Sequence, residues 1–182
     1  MTAAEALARL KAGNEAYCAG THTIGDTGAE IRRHTAEHGQ QPYAIVIACS
    51  DSRVIPEQIF HARLGELFVV RVAGNVLGDR ELGSVEYAVE HLHCGQVIVL
   101  GHTFCGAVAA ALSGGGEGFV KSITDEILAA IGGETDPDAA CRLNVLHAVS
   151  RLKTAFAACP AFADTAVDGA VYDIRTGEVR WL

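Results

Sequence analysis

The chain has 182 residues, with 14 basic against 22 acidic side chains and a formal net charge of −8. That balance excludes phosphate-backbone binding, which needs a basic footprint. Although 49% of the residues are apolar, no apolar run approaches the roughly 20 residues that span a bilayer.

The N-terminus lacks the basic-then-apolar pattern of a secretory leader. The expectation is a cytoplasmic protein forming one domain over residues 1–182, with no membrane and no nucleic-acid partner. Six cysteines stand at positions 18, 49, 94, 105, 141 and 159. A chain of this length does not depend on disulfides, and the spacings suggest no compact framework. Free thiols are expected, with a subset available to a metal.

Thr2 to Ala19 reads as a helix, because Thr2 followed three residues later by Glu5 is a capping-box signature and Leu7 and Leu10 share a face. A second helix is expected over Gly28–His38, broken by Gly39 and Pro42. Tyr43–Ala48, Leu67–Val72 and Val97–Leu100 are short apolar runs suited to buried parallel strands. Arg80–His93 has helical spacing, through Leu82, Val85, Tyr87, Ala88, Val89 and Leu92. Another helix is expected from about Cys105 through Ala111. Gly114 to Gly118 reads as a loop without the Lys-Ser/Thr ending of a phosphate loop. Helices follow at about Val120–Ile131 and Asp138–Ala157, the second stopped by Pro160. Val167–Ile174 and Glu178–Leu182 flank Thr176-Gly177 as a terminal hairpin. The fold class is α/β: a central, mostly parallel sheet flanked by helices, with a C-terminal edge hairpin.

Ligands of such sheets bind beyond the carboxyl ends of the strands. The first run ends directly before Cys49-Ser50-Asp51-Ser52-Arg53. The third ends directly before His102-Thr103-Phe104-Cys105-Gly106. Two strand ends therefore bring two thiols and an imidazole to one edge. Two thiolates and a histidine with one open position are a known catalytic zinc set, and at the first turn of a helix His102 and Cys105 can face one ion. Read singly, a buried cysteine is a small hydrophobe. A cysteine nucleophile with His102 as base is the competing chemistry, but nothing marks an acyl-transfer site. His91, His93 and Cys94 cluster in sequence, yet i and i+2 positions diverge on a helix. His61 and His147 are candidate proton relays.

Ala48-Cys-Ser-Asp-Ser-Arg-Val54 and Gly101-His-Thr-Phe-Cys-Gly106 resemble the two signatures of β-carbonic anhydrases. Leu67-Phe-Val-Val-Arg71, Ala73-Gly-Asn75 and Gly83-Ser-Val-Glu-Tyr-Ala-Val89 lie between them in the family's order. The resemblance covers about residues 1–112 and again Gly169-Ala-Val-Tyr-Asp173. It implies one Zn2+ per subunit on Cys49, His102 and Cys105, with Asp51 a fourth ligand only in a closed state. It implies reversible hydration of carbon dioxide to bicarbonate, with Asp51 held by Arg53 to orient the attacking water. By the same resemblance Gln40, Phe68, Ala73, Tyr87 and Gly106 bind substrate, and Gln40, Phe68 and Tyr87 reach the site from a partner subunit. A homodimer or tetramer follows, with the N-terminal helix packing on the neighbour.

Two departures matter. Val72 stands where many members have asparagine. Val46 and Ala48 stand where the bicarbonate-regulated subgroup carries tryptophan and glycine, so an open site without allosteric bicarbonate is expected, and Arg71 alone does not rebuild that pocket. The rivals are a same-fold hydrolase of carbon disulfide or carbonyl sulfide and a non-catalytic zinc-stabilised binding module.

Overall fold

A computed structural model describes residues 1–20, 27–157 and 159–182. Helix α1 (Ala3–Cys18) begins on the expected box: the Glu5 amide donates to Thr2 Oγ1, and the Thr2 amide donates to Glu5. Helix α2 (Ala29–His38) leads to strand β1 (Ala44–Ala48), short helix α3 (Pro56–Ile59), strand β2 (Leu67–Arg71) and helix α4 (Asp79–Leu92). Strand β3 (Gln96–His102), helices α5 (Gly106–Leu112), α6 (Lys121–Ile131) and α7 (Pro137–Ala157), and strands β4 (Ala166–Tyr172) and β5 (Val179–Trp181) complete the chain.

The strand order is β2-β1-β3-β4-β5, with only the β4–β5 hairpin antiparallel. β1 is buried at every position, because both faces of the sheet are covered. Ile45, Ile47, Val97 and Val99 pack under residues of α4 and α7. Ala44, Val46, Ala48, Ile98 and Leu100 pack against Ala6 and Leu10 of α1. Such strands read as continuous apolar runs rather than alternating ones.

Three elements differ from the sequence expectation. β3 runs through Gln96, Gly101 and His102, because each pairs with β4; an apolar-run criterion misses those three residue types. α3 and a 3₁₀ turn at Ala73–Asn75 are too short for periodicity to reveal. α7 ends at Ala157, as expected, and Pro160 beyond it opens a 3₁₀ turn. Helix α1 packs on the sheet of its own chain through Ala6 and Leu10.

Asn14 explains that docking. Its Nδ2 donates to Gly177 O at 2.8 Å and Ile59 O at 3.4 Å, and its Oδ1 accepts from the Val179 amide at 2.9 Å. One residue earlier, a Cβ on Gly13 would sit 2.0 Å from Phe60 O, so the helix approaches backbone to backbone. Asn14→Leu orphans three buried backbone groups at about 1–3 kcal/mol each before relaxation. The expected result is a melting temperature lower by roughly 5–15 °C, read by calorimetry; an unchanged melting point would show that α1 is held elsewhere.

Candidate metal centre

Sheet topology puts the ligand-bearing ends side by side. β1 and β3 are parallel neighbours, with Ala48 level with Leu100, so Cys49 leaves β1 beside Gly101 and His102. The strand order reverses at β1, the place where open α/β sheets form their ligand crevice. The donor atoms of Cys49, His102 and Cys105 lie within 4.8 Å of one another, and all three residues are buried. Asp51 is not part of this donor group.

Each ligand is aimed by its backbone. His102 ends β3, and the chain then turns through Phe104, which has a left-handed φ of 57°. Cys105 caps α5. The His102–Cys105 pair is thus formed by a tight turn between strand and helix, not by the first helical turn that the spacing suggested. His102 Nδ1 lies 2.9 Å from Thr103 O; a carbonyl only accepts, so Nδ1 carries the proton and Nε2 presents a lone pair. That Nε2 is buried, in a ring 1% exposed, and has no hydrogen-bond partner. Thr103 is itself tied to the C-terminal strand: its amide donates to Tyr172 O at 2.9 Å, and its Oγ1 accepts from the Ile174 amide at 3.1 Å.

Cys49 Sγ accepts from the Gly74 amide at 3.2 Å and the Asp51 amide at 3.4 Å. The Cys105 thiol, donating to Cys49, is the main influence that pulls the Cys49 thiol far below its ordinary value, and Cys105 is raised in return. Cys105 is buried in a cluster with Val108 and Ala111 of α5 and Cys141 of α7. Gly74 has φ +70°, and a Cβ there would stand 2.9 Å from Ile127 Cδ1; only glycine places this amide on the sulfur without strain. An orphaned imidazole nitrogen facing two buried thiols, one of them accepting two backbone N–H bonds, fits a thiophilic dication such as zinc.

Asp51 turns away from that group. Arg53 donates from Nε to Oδ1 at 2.9 Å and from Nη2 to Oδ2 at 2.7 Å, and the Arg53 amide adds a third bond to Oδ1 at 3.0 Å. The Arg53 side chain is the largest cause holding the Asp51 carboxyl well below the usual carboxylate range. It is ionised throughout the neutral range. Arg53 also reaches Phe104 O at 3.3 Å, linking this loop to the turn between the other two ligands.

The other sequence-predicted residues divide. Ala73 is half-buried beside Gly74, and Gly106 is exposed at the start of α5. Phe68 pairs in register with Ile45, four residues before Cys49 and so about 13 Å down the sheet. Its ring lies tilted against that of Tyr87, 6.2 Å between centroids, and Tyr87 is 48% exposed. Gln40 lines a surface cavity of about 560 Å³ with Tyr43, Arg63 and His91. A single chain therefore does not bring Gln40, Phe68 or Tyr87 to its own metal centre. His147 is engaged with Glu126 at 3.3 Å, and Glu126 also pairs with Arg151. His91 lies 5.0 Å from the Tyr87 ring, and His93 caps α4.

Sequence reasoning passed over Thr103, Gly74, Cys141 and the backbone bonds of Arg71. Of these only Arg71 left a signal: a charged residue closing an apolar run on the ligand-bearing edge.

The fold and the donor set define an α/β protein with a mostly parallel sheet and, at its strand ends, a buried Cys-His-Cys group that could hold one metal ion. A family profile for carbonic anhydrase matches residues 44–179. A carbonic anhydrase of Mycolicibacterium smegmatis is 38% identical over 184 aligned positions, spanning 94% of this chain and 89% of that protein. A β-carbonic anhydrase structure from Aspergillus fumigatus superposes with a TM-score of 0.68 at 30% identity, covering 84% of this chain and 85% of that one. A structure from a pair of tetrameric β-carbonic anhydrases of Sordaria macrospora gives 0.68 at 26% identity, covering 85% and 90%. The chain belongs to the carbonic anhydrase family, in its β class.

Proposed function

We propose that this protein is a zinc-dependent carbonic anhydrase that converts carbon dioxide and water reversibly to bicarbonate and a proton. The observation that carries the reading is the buried, partnerless Nε2 of His102 facing Cys49 and Cys105, with Asp51 locked on Arg53 just outside their donor group. Cys49, His102 and Cys105 hold the ion. When bound, zinc supplies the Lewis acidity that makes water a nucleophile near neutral pH.

The chain's own groups do the rest. Asp51, permanently ionised, accepts a hydrogen bond from the attacking water and so fixes which lone pair meets the carbon. Arg53 holds the carboxylate for that task and, always charged, never competes for the proton. Ala73 and the Gly106 backbone border the substrate position on the same chain. The proton leaves to solvent or buffer.

The centre works in the open form, with Asp51 off the metal. Both carboxylate oxygens are already engaged by Arg53, and Val46 and Ala48 are fully buried in the sheet where a regulatory pocket would need tryptophan and glycine. Gln40, Phe68 and Tyr87 complete the site of a second subunit. The exposure of Tyr87 and the distance of Phe68 from its own metal centre support a homodimer, and pairs of dimers follow the tetrameric relatives. The chain acts as one domain in the cytoplasm; no described helix is long and apolar enough to cross a membrane.

Stopped-flow hydration between pH 7 and 9, beside zinc content, tests the assignment. Zinc-loaded protein that does not accelerate hydration overturns it, and hydrogen sulfide released from carbon disulfide in place of hydration reassigns the substrate.

A further inference from the structure

We propose that Arg71 is a positioning residue for the hydration reaction: it pins the loop carrying Cys49 and Asp51, and so keeps Asp51 on Arg53 and off the metal. The inference rests on the metal-centre reading above. Arg71 is the last residue of β2 and pairs in register with Ala48, so its side chain emerges exactly where β1 hands over to the ligand loop. Its Nε donates to Cys49 O at 3.2 Å and its Nη2 to Asp51 O at 2.8 Å. One guanidinium therefore grips the peptide groups that follow Cys49 and Asp51.

The peptide between them is tied separately, through the Asp51 amide on Cys49 Sγ at 3.4 Å. The Ser50 amide continues the strand ladder to Val72 O at 3.2 Å. Three consecutive peptide groups are thus tethered, and Arg71 holds the outer two. A planar fork can do this with fixed donor directions; an ammonium, a point charge on a flexible stem, cannot hold both carbonyls in that geometry.

The tether matters because Asp51 has two cationic suitors. The Arg53 side chain is 52% exposed, and solvent weakens so exposed an ion pair. A dication with an open coordination position is a rival partner for a carboxylate two residues from one of its ligands. Arg53 keeps Asp51 only while the backbone at Ser50 and Asp51 stays where Arg71 holds it. Without those two bonds the loop gains freedom at both residues, and the carboxylate is released toward the ion.

The test uses Arg71→Met and Arg71→Lys in the full chain, with zinc content, circular dichroism and the visible spectrum of the cobalt-substituted protein. Both variants are expected to keep one metal per chain and lose about tenfold or more in kcat, in line with outer-shell partners elsewhere. Their cobalt bands are expected to shift and to stop responding to pH between 6 and 9. Adding Asp51→Asn is expected to return the spectrum to that of Asp51→Asn alone. Wild-type spectra in the Arg71 variants, a wild-type result for Arg71→Lys alone, or a shifted spectrum that survives Asp51→Asn would each overturn the proposal. Loss of native circular dichroism in both variants would do the same, by assigning the guanidinium to fold stability. Failure of the metal-centre reading looks different: the wild-type zinc protein would not hydrate carbon dioxide.

Discussion

Cys49→Ser is expected to empty the metal centre and bring hydration close to the uncatalysed rate. A serine hydroxyl stays protonated where a thiol in this setting does not. The substitution removes one of two anionic donors from a three-residue set. The amides of Gly74 and Asp51, now 3.2 and 3.4 Å from a sulfur, would face a smaller neutral oxygen. Zinc per chain should fall below about a tenth of the wild-type value, and kcat/KM by roughly a thousandfold or more, since the ion generates the nucleophile. The exchange is nearly isosteric, so folding survives and the loss reads as chemistry. Full zinc and full hydration in this variant would sink the assignment of the centre.

Asp51→Asn should separate binding from turnover. Asp51 lies outside the donor group, so zinc content is expected to stay at one per chain. The amide cannot satisfy Arg53 as the carboxylate does: one of its two positions becomes an N–H aimed at a guanidinium that only donates. The side chain leaves its place, and the water loses its oriented acceptor. A fall in kcat of roughly a hundredfold is expected, at the lower end of what a positioned acid–base group contributes. Stopped-flow hydration with metal analysis on the same sample decides it. Hydration within twofold of wild type would leave Asp51 with no part in turnover.

The strand at 44–48 was legible because burial on both faces writes itself as an unbroken apolar run, and the half-buried edge strand at 67–71 because Leu67 to Val70 are all apolar. The N-terminus of α1 was legible because a capping box is a local device between Thr2 and Glu5. The ligand triad was legible from two short motifs at strand ends. What stayed hidden is non-local or depends on residues that strand patterns disfavour. Gln96, Gly101 and His102 join β3 through pairing with β4, about seventy residues away. Asn14 locks α1 to Gly177 and Val179, across more than 160 positions. The turn between His102 and Cys105 rests on Phe104 in a left-handed conformation that aromatic residues seldom adopt, so its sequence carries no warning. Arg71 reads as a generic charged strand end until the carbonyls of Cys49 and Asp51 are seen beneath it.

The tie between Thr103 and the C-terminal strand also sets an order of events during synthesis. Cys49, His102 and Cys105 are all made before Tyr172 and Ile174, the residues that hold Thr103 and with it the histidine ring. At ordinary elongation speeds those last residues follow about 4–14 s later. During that interval the chain carries two thiols and an imidazole with no fixed geometry, open to any soft cation or oxidant. Discrimination between ions by geometry therefore waits until β4 pairs with β3, when the loose donors become a shaped set.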